Sequence, residues 1–290
     1  MKTQWCGVTA IFAVFAAYAG VCGGAEQHIV LPSGFENSEG AINTTLPIAS
    51  SPGTQQTLYS VQEMSAVPTG SRITGFQVRQ DGNFGFVPWP HQSFVVQDYR
   101  VYMGTSARTP GGFSNTFADN ITDKKLVKSG SLAIAAHAYP GSFPIGGPPR
   151  GWGPVIVLDV PYTHKGGALV IEWRNTGAGS NGGTSGDAAA NSALAAGGGN
   201  STSPEATTSN GGSVAIVRLT YLPPGCPADL NGDGMVDDAD FPLFVAAYNI
   251  LDCADGSMPA GCPSDFNSDA LVDDADFVVF VMAYNELVCP

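Results

Sequence analysis

A β-sandwich of jelly-roll type followed by a small all-α module is the fold class this sequence predicts, on three observations. From about His28 to Leu222, apolar and polar residues alternate at period two between turns rich in Gly, Pro and Asn. Gly (37) and Pro (21) are abundant while charged residues make up only 13 %, a balance that favours turn-rich β structure. After Leu222 the pattern changes, and two acidic stretches each run into an apolar segment of helical spacing. A barrel is the runner-up for the first part.

The 290 residues suffice for one large and one small domain. Residues 1–25 read as an export signal: Lys2 supplies the positive start, 8–19 is apolar, and small residues at Ala17, Ala19 and Gly23 to Ala25 suit cleavage after Ala19 or Ala25. The apolar run is shorter than the ~20 residues that span a bilayer, so no transmembrane segment is expected. The predicted location is extracellular, free or associated with the cell surface.

Residues 26–222 form the predicted sandwich. Its strands are expected at 71–80, 93–103, 125–135, 154–160, 168–174 and 213–222, with weaker ones at 27–32 and 57–64. In 168–174, alternation sends Leu169, Ile171 and Trp173 inward and Val170, Glu172 and Arg174 outward; Val217, Leu219 and Tyr221 share one face. The tract 176–212 is nearly all Gly, Ser, Ala, Asn and Thr, so it reads as a mobile loop between the last two strands. Residues 223–225 (Pro-Pro-Gly) form a short stiff linker to the module at 226–290.

The net charge of −13 is local. Residues 1–225 hold 12 acids and 12 bases, whereas 226–290 hold 13 acids and neither Lys nor Arg. Such a surface excludes nucleic acid as a partner. The acids are patterned: D-L-N-G-D-G-M-V-D-D-A-D at 229–240 returns 36 residues later as D-F-N-S-D-A-L-V-D-D-A-D at 265–276. Oxygen-bearing side chains at positions 1, 3, 5, 9 and 12 are what a chain wrapped round one Ca²⁺ presents inward. The predicted ligands are Asp229, Asn231, Asp233, the Met235 carbonyl, Asp237 and Asp240 in loop one. In loop two they are Asp265, Asn267, Asp269, the Leu271 carbonyl, Asp273 and Asp276. A solvated acidic turn is the alternative; the in-register repeat argues against it.

Helices are expected at 238–249 and 274–285. Phe241, Phe244, Val245 and Tyr248 recur as Phe277, Phe280, Val281 and Tyr284, an i, i+3, i+4, i+7 set that predicts a shared core. Cys226, Cys253, Cys262 and Cys289 bracket the loops at spacings of 27, 9 and 27, with no C-x₂-C pair for zinc, so two disulfides are expected.

A loop-helix duplicate with aspartate at position 12 resembles the dockerin family, in particular its cysteine-framed members. The resemblance covers 226–290 and implies two bound Ca²⁺ ions and docking to a cohesin-like or cell-surface protein. Positions 10 and 11 are Asp238-Ala239 and Asp274-Ala275, where cellulosomal dockerins carry a Ser-Thr type recognition pair. Pseudo-twofold packing of the repeats favours the pairs Cys253–Cys262 and Cys226–Cys289. Pairing within a repeat would have to span a helix of ~16 Å, against a Cα limit of ~7 Å. Position 6 is Gly234 in loop one and Ala270 in loop two, so site one is expected to bind more tightly.

The sandwich carries no specific catalytic constellation. Asp98, Asp159 and Glu172 lie on predicted strands, but the retained reading is outward-facing surface acids, and the four histidines lack metal spacing. Trp89, Trp152 and Tyr102 are the candidate ligand-binding residues, as rings that stack on sugars; closing the ends of the core is their other reading. Two functions follow. One is a secreted, non-catalytic component whose sandwich binds an extracellular ligand such as a polysaccharide. The other is a polysaccharide-degrading glycoside hydrolase with the same attachment module.

Overall fold

The computed structural model describes residues 26–45, 51–82, 87–141, 148–177, 179, 184–225, 228–231, 235–267 and 269–286. The expected export signal, Cys226, Cys289, Asp233 and Gly234 lie outside the described residues.

The described residues are mainly β, with 38 % strand, two short helices and several antiparallel sheets, consistent with a β-sandwich. One sheet runs β1 (Gln27–Leu31), β14 (Val217–Leu222), β4 (Arg72–Val78) and β9 (Ile156–Thr163). The other runs β12 (Ala195–Asn200), β3 (Gly53–Tyr59), β10 (Ala168–Asn175), β6 (Tyr99–Ser106) and β7 (Thr122–Lys128). Alternation delivers Ile73, Phe76, Val217, Leu219 and Tyr221 from the first sheet and Val101, Met103, Leu169, Ile171 and Trp173 from the second to one core. The Phe76 and Trp173 rings meet edge-on at 6.0 Å within it.

Three expected strands are each divided. The stretches 93–103 and 125–135 break at the same level into β5 (Phe94–Val96) paired with β8 (Leu132–Ile134), and β6 paired with β7. The corner is made at Gly130, at φ +97°, whose carbonyl accepts the Tyr99 N–H at 2.8 Å. The last strand breaks at Ile216, because β13 (Val214–Ala215) pairs with β11 (Ser185–Ala189) while β14 pairs with β1 and β4. β11 also pairs with β2 (Ile42–Thr45).

The expectation of a mobile loop over 176–212 is corrected, since that tract supplies β11 and β12. Ala188, Ala189, Ala195 and Ala196 are buried, and β12 hydrogen-bonds along the edge of β3. Its small residues are a steric requirement. A Cβ at Gly197 would stand 2.3 Å from the Ser213 carbonyl oxygen, and one at Gly212 would stand 2.3 Å from Gly198 Cα. Composition alone reads such a tract as unable to bury surface; here neighbouring strands provide the hydrogen bonds and the cover.

The outward face of β10 is likewise not solvated. Val170 and Glu172 are fully buried, because Phe113 and Ile121, from the connection between β6 and β7, join Leu58 and Ala168 over that face.

A second core joins Ala228, Val236, Phe244, Ala247, Val272 and Phe280. Its helices are α1 (Phe241–Tyr248) and α2 (Asp274–Glu286). α1 starts later than expected, after a turn at 238–240, with Pro242 tolerated in its first turn. Of the predicted apolar set only Phe244 and Phe280 are fully buried, their rings stacked 5.0 Å apart. Phe241, Phe277 and Val281 are exposed, because two short helices share a single buried layer.

Candidate metal centre

Both acidic loops are closed by their last aspartate. Asp240, fully buried, accepts the N–H groups of Leu230 and Asn231 on Oδ1, at 2.8 and 2.9 Å, and that of Asp237 on Oδ2 at 3.0 Å. Asp276, also fully buried, repeats this with Phe266, Asn267 and Asp273, at 2.7, 3.2 and 3.0 Å. Position 12 thus reaches back to positions 2, 3 and 9, and an open stretch becomes a ring. Each of these carboxylates has about four acceptor sites, so three amide bonds leave capacity for a cation.

Within loop two the remaining ligand candidates bond mainly to nearby backbone amides. Asp265 accepts the amides of Asp269 (3.1 Å) and Ala270 (3.0 Å). Asn267 accepts the Asp269 amide at 2.9 Å and donates to the Asp269 carboxylate at 2.9 Å. Asp269 accepts the Leu271 amide at 2.9 Å, and Leu271 bridges Asp252. Asp273, like Asp237 in loop one, accepts the amide two residues on at 2.8 Å. The donor set, carboxylates and an amide in a segment without a basic side chain, suits a hard cation such as Ca²⁺, while among the described residues no three carboxylates of this loop lie within 4.8 Å of one another. Asp229, Asn231 and Met235 are described, and each makes further interactions.

The expected left-handed turn at position 6 is present in loop two, where Ala270 sits at φ +72°. A Cβ in that region costs about 1–2 kcal/mol. Ala270→Gly is therefore expected to tighten the second site by up to about tenfold, read by calorimetric Ca²⁺ titration of the full chain. An unchanged or weaker second site would remove strain at Ala270 as the source of asymmetry.

Position 10 has a role of its own. Tyr248, ending α1, donates to Asp274 of loop two at 2.5 Å, and Tyr284 of α2 donates to Asp238 of loop one at 2.5 Å. Hydrogen bonding to the neighbouring aspartate raises each phenol above the usual tyrosine range. Asp238 and Asp274 therefore brace one repeat against the other. Cys253 and Cys262 are joined as a disulfide with Cα atoms 5.4 Å apart.

The ring candidates of the sandwich do not form a stacking platform. Trp89, a ligand candidate whose other reading is to close the end of the core, follows that other reading: it is 6 % exposed and packed 5.4 Å from both Phe94 and Tyr139. It is drawn inward by its bridge to Tyr139, a partner 50 residues along the chain. Trp152 is half-buried with the guanidinium groups of Arg79 and Arg218 over its ring at 4.8 and 5.2 Å. Tyr102, also half-buried, has Lys124 at 4.2 Å and Arg174 at 5.7 Å from its ring centre.

The three strand acids have basic partners. Glu172 accepts from Lys124 and Arg174, each at 2.6 Å, and from Gln56 at 3.0 Å. Arg174 and Arg100 both pair with Glu205, and Arg100 also pairs with Asp98. Asp159 pairs with Lys128 at 3.1 Å. Glu172 was expected outside and is fully buried, so its ion pairs replace water.

Sequence reasoning missed a further cluster. The carboxylates of Glu39, Asp81 and Asp187 lie within 4.8 Å of one another. Asp187 forms an ion pair with Arg79 at 2.7 Å, both side chains being essentially fully buried. Burial pushes the Glu39 and Asp187 carboxyls up. The available signal was Asp187 itself, one of only two charged residues in 176–212. Because the folded pKa of Glu39 is raised, its favourable contribution is complete below the unfolded value near 4.5 and is lost as pH rises through the folded value. Glu39→Gln, which stays neutral, is expected to be more stable than the parent in urea unfolding at pH 7 and equal to it at pH 3.5. The same difference at both pH values would sink that assignment.

No helix among the described residues is long and apolar enough to cross a membrane. Comparison with family models, curated proteins and solved structures returned no match.

Proposed function

We propose that this chain is a secreted, calcium-binding, non-catalytic component with a dockerin-like C-terminal module and a ligand-binding sandwich of jelly-roll type. The repeated closure of two twelve-residue loops by Asp240 and Asp276 carries the reading. Ca²⁺ would be held by Asp229, Asn231, Asp233, Met235, Asp237 and Asp240, and by Asp265, Asn267, Asp269, Leu271, Asp273 and Asp276. The ion would supply the positive charge that the segment lacks.

Docking to a cohesin-like or cell-surface protein is supported by exposed apolar side chains on both helices. Phe241 and Leu243 of α1 and Phe277, Val278 and Met282 of α2 are between 40 and 66 % exposed. Such a patch suits a protein interface. The carbohydrate assigned to the sandwich as its ligand rests on the dockerin-like module that accompanies it, and export fits the disulfide.

The test is a Ca²⁺ titration of the full chain, run beside capture on a cohesin panel and a pull-down on insoluble polysaccharides with reducing-sugar release. Two Ca²⁺ equivalents, calcium-dependent capture and sugar binding without release are expected. No Ca²⁺ uptake at millimolar concentration overturns the metal and docking readings. Sugar release abolished by Asp98, Asp159 or Glu172 substitutions would instead make the protein a glycoside hydrolase.

A further inference from the structure

We propose that the sandwich ligand is a neutral saccharide bound in a polar cleft at one end of the larger sheet, a site that rests on the carbohydrate reading above. The cleft, about 400 Å³, opens where β3 begins and β10 and β12 end, walled by β2 and residues 210–213. That size accommodates one or two sugar rings, at the low end of the usual range for small-molecule sites.

The lining chemistry selects the ligand. Its described lining residues include no Lys, Arg, His, Asp or Glu, so they offer no side-chain charge with which to pair a phosphate, a carboxylate or an amine. Ile42 is the only sizeable apolar side chain among the described lining residues. A peptide would need side-chain pockets, which this wall lacks. What remains is a dense set of amides and hydroxyls, groups that both donate and accept, as a sugar hydroxyl does.

Part of that set is held in place and part is uncommitted. Gln55 donates to Thr44 at 3.2 Å, and Asn200 is fixed between the Thr202 amide (3.1 Å) and the Thr208 carbonyl (3.0 Å). The exposed side chains of Asn43 and Asn210, both lining the cleft, make no hydrogen bond among the described residues, so four donor and acceptor groups stay available. Gly211 sits at φ +143°, with open space where a Cβ would stand, and its backbone is held by Gly199 and Ser209. Stacking rings are replaced here by hydrogen bonding alone.

Affinity electrophoresis of the full chain through gels containing arabinoxylan, galactomannan, mixed-linkage β-glucan or soluble starch tests the site. The parent is expected to be retarded by at least one polymer. An Asn43→Ala/Asn210→Ala variant is expected to lose about tenfold in affinity with its melting temperature unchanged, because neither side chain holds the fold together. Asn210→Lys, which places a charge in the cleft, is a second variant with the same expectation. Retardation of both folded variants equal to the parent overturns the cleft while leaving carbohydrate binding intact. No retardation of the parent in any gel overturns both.

Discussion

Arg79→Ala is expected to destabilise the sandwich by about 3–5 kcal/mol, a large part of the ~5–15 kcal/mol that holds a domain folded. The side chains of Arg79 and Asp187 are 1 % and 0 % exposed, so truncating the arginine leaves a buried carboxylate without its cation. It also leaves Glu39 and Asp81 beside that carboxylate. Arg79 further donates to the carbonyls of Phe35 (2.9 Å), Glu36 (3.3 Å) and Ser38 (2.6 Å), which would lose their donor in the same stroke. Little relaxation is available, since a Cβ at the adjacent Gly40 would already stand 2.1 Å from the Ala188 carbonyl oxygen. Urea unfolding followed by tryptophan fluorescence reads the loss. A cost below about 1 kcal/mol would mean that water or another base replaces the guanidinium. The double variant Arg79→Met/Asp187→Leu should recover only part of the stability: it removes the unpaired carboxylate, but the three carbonyls and the Gly40 amide are still left without partners.

Removing calcium is expected to act on the other core alone. Five carboxylates crowd residues 229–240, and no Lys or Arg lies anywhere in 226–290 to offset them. An ion that binds only the closed loop stabilises it by about 2.7 kcal/mol when present at a hundred times its dissociation constant. Chelation should therefore lower the melting of the module by that order per site. Asp240→Ala should do so even in calcium, since it also orphans three amides. All four tryptophans precede residue 226. Calorimetry should thus show one transition moving in EDTA while tryptophan fluorescence melts at an unchanged temperature. A melt that ignores EDTA in both probes would contradict a calcium-held module.

What could be read from the chain depended on how local the determinant was. Leu169, Ile171 and Trp173 announce a strand by their own spacing, and they lie in the core as expected. The twelve-residue loops were legible for the same reason, down to the left-handed turn at Ala270, because closing atom and closed amide are ten residues apart or fewer. The misses share a distant cause. β12 has no side-chain pattern of its own and becomes a strand only because β3 offers an edge about 140 residues earlier. Glu172 is buried by a connection that covers the sheet from outside, and Trp89 by a bridge to Tyr139. The cleft at the end of the larger sheet is assembled from five separated segments, so no window of the sequence displays it.

The two tyrosine–aspartate braces have a consequence for how this module came to be and how it can be cut. Each loop is fastened by a helix belonging to the other repeat, Tyr248 to Asp274 and Tyr284 to Asp238. A single repeat would present an unanswered tyrosine and an unanswered aspartate, together with half of the Phe244–Phe280 stack. The duplication is therefore no longer a redundancy that drift can trim. Half of the module is an incomplete fold, and the smallest self-sufficient unit is the pair.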